Sequence, residues 1–160
     1  MDADEFDEGE FFRVLAASGA RVLLIGRRAL IAIGIPVLTA DYDLWIPSSD
    51  AEKLNAALAT LGMFPNREPE EARKVGRYVV ENGERVDVLI ARQVSTVDGV
   101  HVVFDELHAR SVVVPVTGGA SIRVPSVADL ILTKRFAVRA KDIADIRLLE
   151  SHLARQKERS

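Results

Sequence analysis

The sequence predicts an α/β (α+β) protein in which helices flank a mixed, partly antiparallel sheet. Three observations carry this expectation. Short apolar runs bounded by turn residues alternate with stretches of helical periodicity. Two hairpins are marked, one by Asn82-Gly83 between β-rich runs and one by Thr117-Gly118-Gly119. The chain then closes on helical stretches within 126–154. With 160 residues, 48% of them hydrophobic, one domain over 1–160 with a sizeable core is expected.

The elements follow in order. Residues 5–18 fit a helix within an acidic segment over 1–20, with Phe6, Phe12, Leu15 and Ala16 near one face and Gly19 as its stop. A strand over 21–25 ends at Gly26. A short helix over 27–33 stops at Gly34 and Pro36. A strand over 42–46 follows. Ser48, Ser49 and Asp50 offer N-caps for a helix over 51–61, with Leu54, Leu58 and Leu61 as its stripe. Residues 65–73, charged and interrupted by Pro69, read as a loop. The first hairpin pairs 76–81 with 84–91, and a two-residue turn puts Tyr78 opposite Asp87. Residues 102–107 fit a short strand or a helical turn. The second hairpin pairs 111–116 with 120–124. Pro125-Ser126 caps a helix over 127–138. The last helix, over 141–154, carries Ile143, Ile146, Leu149 and Leu153 as its buried stripe.

Composition excludes several classes. No cysteine is present, so there is no disulfide framework or thiolate metal site, and a reducing cytoplasm is the expected setting. The longest apolar run, 29–35, is far too short to span a bilayer. The N-terminal residues lack the bases and apolar core of a secretory signal. The net charge of −3 is uneven: six acids fall in the first ten residues, leaving 18 acids against 21 bases in the remainder. A weakly basic body suits nucleotides or RNA without demanding them, and the acidic start reads as a solvated segment.

Chemistry is concentrated around residues 26–46. Asp41 and Asp43 open the 42–46 strand, and residues two apart share a face, about 6.6 Å apart along the strand. Two unpaired carboxylates that close repel each other and are costly to desolvate, and a divalent cation removes that penalty. Hard oxygen ligands suit Mg²⁺, which takes one or two carboxylates plus substrate phosphates. Asp87 interrupts the otherwise apolar run 86–90, so it needs a partner or a metal.

Gly26, a short helix, Gly34 and then Thr39-x-Asp41-x-Asp43 resemble the nucleotidyltransferase superfamily in its small bacterial form, the minimal nucleotidyltransferases and AbiEii-like toxins. The segment 130–146, with Lys134, Arg139, Lys141, Asp142 and Asp145, resembles the family's Leu…Lys…Arg-x-Lys-Asp-x-x-Asp stretch. The resemblance covers about residues 20–150. It implies a small mixed sheet with an active site at one edge, and transfer of a nucleoside monophosphate from a triphosphate to a hydroxyl on RNA, tRNA, protein or a small molecule. It implies Mg²⁺ or Mn²⁺ on Asp41, Asp43 and Asp87, and phosphate contact by Lys134. Asp142 would orient Lys134 or help activate the acceptor. Gly26, Arg27, Arg28 and Thr39 would lie at the nucleotide. It further implies a toxin–antitoxin or phage-defence setting, with a cognate antitoxin as partner.

The chain departs from the family at Arg27, where Gly or Ser is usual, and at Val37, where many relatives have Arg. Arg27 and Arg28 oppose the helix dipole by about 0.3–1 kcal/mol each unless an anion binds. They either grip phosphate or reach the acids of the N-terminal segment. Asp41 is a ligand or a turn residue, Asp87 a ligand or a partner of Arg85, and Asp142 a site residue or a helix cap. The three histidines have no ligand-like spacing. Two other classes therefore stand beside the enzyme: a nucleotide or RNA sensor without turnover, and a partner-binding domain of the same fold.

Overall fold

The structure, a computed structural model, describes residues 6–159; Asp2, Asp4 and Glu5 of the acidic segment lie outside them. In chain order the elements are α1 (Glu8–Ala17), β1 (Leu23–Ile25), α2 (Gly26–Ala32), β2 (Tyr42–Ile46), α3 (Ala51–Ala59), β3 (Phe64–Pro65), α4 (Pro69–Val75), β4 (Arg77–Asn82) and β5 (Glu84–Ile90). There follow β6 (Gln93–Ser95), β7 (His101–Val103), α5 (Phe104–Arg110), β8 (Val112–Pro115), β9 (Ser121–Val124), α6 (Val127–Thr133) and α7 (Ala140–Arg159). Seven strands make one sheet in the order β3-β4-β5-β2-β1-β9-β8, and β6 and β7 form a separate hairpin. β2 runs parallel to β5 and β1 to β9, while the other pairs are antiparallel. The sheet is therefore mixed, as expected.

Strand alternation gives the sheet two unlike faces. One carries Leu24, Tyr42, Leu44, Ile46, Tyr78, Val80, Val86 and Val88 into a core with Phe11, Phe12, Leu15, Leu30, Leu54 and Leu58. The other carries Leu23, Ile25 and Trp45 beneath Val102, Phe104 and Leu107. Trp45 meets the rings of Phe104 at 5.4 Å and Phe136 at 5.7 Å, both edge-on, and its Nε1 donates to the Ala91 carbonyl at 3.0 Å. This cover ends partway along β2 and β5, so the end of the face that holds Asp43 and Asp87 is left open as a cleft. No helix among the described residues is long and apolar enough to cross a membrane.

Several expectations are corrected. Val79, not Tyr78, stands opposite Asp87. Asn82 faces Glu84 across Gly83 alone, whose φ of +78° only glycine adopts readily, so the pairing shifts by one residue. The shift keeps Tyr78 and Val80 on the core face with Val86 and Val88. The expected loop contains α4: Pro69 sits in its first turn, Glu70 and Glu71 favour its start, Arg73 and Lys74 its end, and Gly76 closes it at φ +91°. In α1, Phe11 is fully buried whereas Ala16 is exposed. Asp50 makes no cap bond to α3 and instead accepts from the Arg21 backbone N–H at 2.8 Å. α6 stops at Thr133, and α7 buries Asp142, Asp145, Ile146 and Leu149 while Ile143 stays 45% exposed.

Candidate active site

The floor of the cleft is set by register. β2 and β5 pair in parallel with Asp43 directly opposite Asp87, on strands about 4.8 Å apart. Ile25, the last residue of β1, stands opposite Asp43 on the other side. Gly26 follows with φ +70°, and a Cβ there would overlap Asp43 Oδ2. Glycine is thus required twice, once for the backbone angle and once for the space the carboxylate occupies. Asp41 lies two residues before Asp43 at the exposed rim, its N–H donating to Thr39 Oγ1 at 3.1 Å. Asp87 accepts from Arg85 Nη2 at 3.1 Å and Nε at 3.3 Å.

Burial, then the charge of Asp87, then that of Asp41 push the Asp43 carboxyl up to about 6, against the pull of Lys134 and Lys141. Repulsion of this kind is what a bound cation relieves. Among the described residues, no three carboxylate or imidazole side chains converge tightly enough to enclose an ion as they stand. The donor chemistry still fits a hard divalent ion, since such an ion takes one or two carboxylates and completes its shell with ligand phosphate. Asp43 and Asp87 supply that pair, with Asp41 at the rim.

The opposite wall comes from α6, α7 and the turn between them. Lys134 is 8% exposed, and its Nζ donates to Asp145 Oδ2 at 2.7 Å and lies 3.9 Å from Asp142 Oδ1. Asp145 is fully buried and also accepts from Arg27 Nε at 3.2 Å. Burial alone would raise its pKa, but the hydrogen bonds and charges of Lys134 and Arg27 hold it below the usual carboxylate range. Asp145 Oδ1 has no hydrogen-bond partner among the described residues. Asp142 accepts from the Arg139 N–H and from Arg139 Nε, both at 3.0 Å. It both caps α7 and holds Arg139 at the cleft.

The resulting cleft of about 860 Å³ is lined by Gly26, Arg27, Asp41, Asp43, Asp87, Lys134 and Asp142, together with Arg139, Lys141, Asn66, Arg67, Arg77 and Arg85. That volume lies within the range of small-molecule sites, about 300–1,000 Å³. Of the residues singled out from sequence, Arg28 and Thr39 are not in its lining. Arg28 donates to the carbonyls of Asp41 and Thr39 and to Glu8 Oε2, each at 3.3 Å, with its guanidinium 4.2 Å from the Tyr42 ring centroid. Glu8 also accepts from Tyr42 Oη and from Thr117 Oγ1. Arg28 and Glu8 thus tie the acidic helix to the Thr39–Asp41 segment. Arg27 lines the cleft but spends its Nε on Asp145 and its Nη1 on the Leu38 carbonyl at 3.0 Å.

Sequence reasoning gave no role to Asp145, the hub of the wall. Its signal was an acid pair, Asp142 and Asp145, three apart and in phase with Ile146 and Leu149, where an apolar stripe was expected. It also passed over Arg67 and Arg77, which reach the cleft only through the β3–β4 pairing, a long-range contact without a local signature.

No family model and no curated protein matches the sequence. Solved structures do match the fold. The chain is similar to the crystal structure of ANT(2″)-Ia in complex with adenylyl-2″-tobramycin, with a TM-score of 0.60 and 18% identity over 94% of this chain and 91% of that one. A solution structure of the same antibiotic-resistance factor gives 0.61 and 18% over 92% and 84%. The lincomycin-bound lincosamide antibiotic adenylyltransferase LnuA gives 0.59 and 16% over 91% and 97%. The chain has the nucleotidyltransferase fold.

Proposed function

We propose that this cleft transfers a nucleoside monophosphate from a nucleoside triphosphate to a hydroxyl acceptor. The observation that carries the reading is Asp43, half-buried and directly opposite Asp87, whose charge pushes its carboxyl up, in a cleft otherwise rich in cations. In the reaction an acceptor oxygen bonds to the α-phosphorus, the bond to the β-phosphate oxygen breaks, and pyrophosphate leaves with its electron pair. The acceptor proton passes to solvent or to a carboxylate. Asp43 and Asp87 would hold Mg²⁺ or Mn²⁺, with Asp41 beside them. A bound divalent ion supplies charge neutralisation on phosphate and a lowered pKa for the attacking hydroxyl. Lys134, Arg139 and Lys141 offset the triphosphate charge, and Gly26 leaves the backbone open to close approach.

The tobramycin and lincomycin of the neighbours' names add small hydroxylated antibiotics to the acceptor classes, next to RNA, tRNA and protein. A toxin–antitoxin or phage-defence setting belongs to this reading through the sequence resemblance alone. A second reading, a sensor that binds nucleotide without turnover, is favoured by one feature: Arg27 is bulky where relatives are small, and it is anchored across the cleft to Asp145.

Calorimetry with each triphosphate plus Mg²⁺ or Mn²⁺, paired with transfer of label from the α-phosphate, separates the readings. The enzyme reading expects binding and pyrophosphate release, both lost in Asp43→Ala. Binding without release selects the sensor. Equal MgATP binding by wild type and Asp43→Ala would overturn the metal assignment.

A further inference from the structure

The cleft has two ends, and both are cationic. Gly26, Lys134, Arg139 and Lys141 stand on the α2 and α7 side of Asp43, whereas Arg67 and Arg77 stand on the β4 side of Asp87 and Arg85 two residues before it on β5. Among the described residues seven cationic side chains line the cleft against four carboxylates, in a chain whose net charge is −3. A triphosphate anchored beside Gly26 uses the first end. At the second, Arg77 lies on β4 opposite Leu89, one strand spacing beyond β5, and Arg85 precedes Asp87 by two residues on β5 itself.

Its geometry is fixed. Arg77 and Val79 share a face of β4, opposite Leu89 and Asp87 of β5. Arg67 donates through Nη1 to the Arg77 carbonyl at 2.8 Å, which orders the rim, and its Nε lies 3.9 Å from Glu71. Arg85 leans on Asp87. Arg77 is exposed and makes no side-chain hydrogen bond or ion pair among the described residues. Of the three guanidinium groups, only Arg77 has no carboxylate partner among the described residues, and guanidinium suits phosphate in particular.

We propose that Arg67, Arg77 and Arg85 form a phosphate site for the acceptor, so that the acceptor is a phosphate-bearing alcohol and not a neutral or polycationic one. The inference rests on the transferase reading for the word acceptor, but the site itself does not. Two sources share the chemistry: the end of a polynucleotide chain, and a phosphorylated sugar.

The test uses the full chain with saturating MgATP. Fluorescence anisotropy follows a labelled single-stranded RNA oligonucleotide, competition by ribose 5-phosphate gives the small-molecule arm, and a polyamine-bearing sugar is the control. The expected result is salt-sensitive binding of one phosphate-bearing probe. Arg77→Gln should weaken it about tenfold or more and lower the salt slope by about one. Arg77→Lys should restore part of the loss, and MgATP affinity should stay unchanged in both variants. Binding of the oligonucleotide alone selects the chain end, and competition by the sugar phosphate selects the small molecule. Failure of both probes, or binding equal in wild type and Arg77→Gln, overturns the site. Failure of the transferase reading looks different: phosphate probes still bind through Arg77, but no label moves from ATP.

Discussion

Asp43 in the floor of the cleft is half-buried and Asp145 behind its wall is fully buried, and their surroundings drive the two carboxylates in opposite directions. Asp145 has two cations on one oxygen, Lys134 and Arg27, and is held ionised. Asp43 has two like charges as its nearest electrostatic neighbours and is pushed up to about 6. The wall is compensated within the protein, whereas the floor stays uncompensated until something positive arrives. On the proposed function, stability and ligand affinity are therefore carried by different halves of one site, and substitutions on the two sides should have opposite effects on stability.

The largest effect is expected from breaking the wall. Asp145→Ala leaves Lys134 and Arg27 without their common partner, and removing one member of a buried ion pair costs about 3–5 kcal/mol. The low end is expected here, because Asp142 Oδ1 stands 3.9 Å from Lys134 and offers a second partner. Urea denaturation measures it, and a loss under 1 kcal/mol would mean that the wall is not held by this pair.

The floor should respond the other way. The folded pKa of Asp43 lies above the ordinary value of 3.8, so the native state binds the extra proton between about pH 4 and 6. Stability from this group is fully present below pH 4 and is lost as pH rises through about 6. Asp43→Asn removes the penalty, raising the stability of the ligand-free protein at pH 8 by up to about 3 kcal/mol and by little below pH 4. Parallel stability curves for wild type and Asp43→Asn would break the comparison.

A smaller effect sharpens it. Gly26→Ala places a Cβ against Asp43 Oδ2 and forces alanine to φ +70°, at a cost of about 1–3 kcal/mol. In an Asp43→Ala background the overlap with Oδ2 is gone, and the Asp43 Cβ contact at 3.0 Å and the backbone part persist. The cost measured by thermal unfolding should then fall in the double variant, and strictly additive losses would show that Asp43 does not press on Gly26.

The floor was legible before the structure, and so were Lys134 and Asp142 of the wall through the family resemblance, but the ion pairing that holds the wall was not. Asp43 and Asp87 stand out because carboxylates inside apolar strands violate a strong burial pattern, Asp41 through its spacing two before Asp43, and Gly26 marks the turn that admits them. The mixed sheet and both hairpins followed from local signals. The wall depends on one acid, Asp145, in phase with a helix stripe and meeting a cation 118 residues away, which no local pattern encodes. α4 was lost for a different reason: Pro69 reads equally as a loop breaker or a first-turn residue, and only packing decides. The one-residue slip at Gly83 arose because Asn-Gly favours a two-residue turn, whereas the core face required Tyr78 and Val80 inward.

The pairing of Arg27 with Asp145 also sets a schedule. Its two ends are joined only after 118 residues of chain separate them, and Glu8 meets Thr117 across 109. A chain growing on the ribosome, at about 5–20 residues per second, holds the acidic floor for several seconds before α7 exists. During that interval Arg27 lacks its carboxylate, Lys134 for most of it does not yet exist, and the cleft has one side. A nascent chain therefore carries no finished cleft, and whatever chemistry the cleft performs begins only when synthesis has passed the last helix.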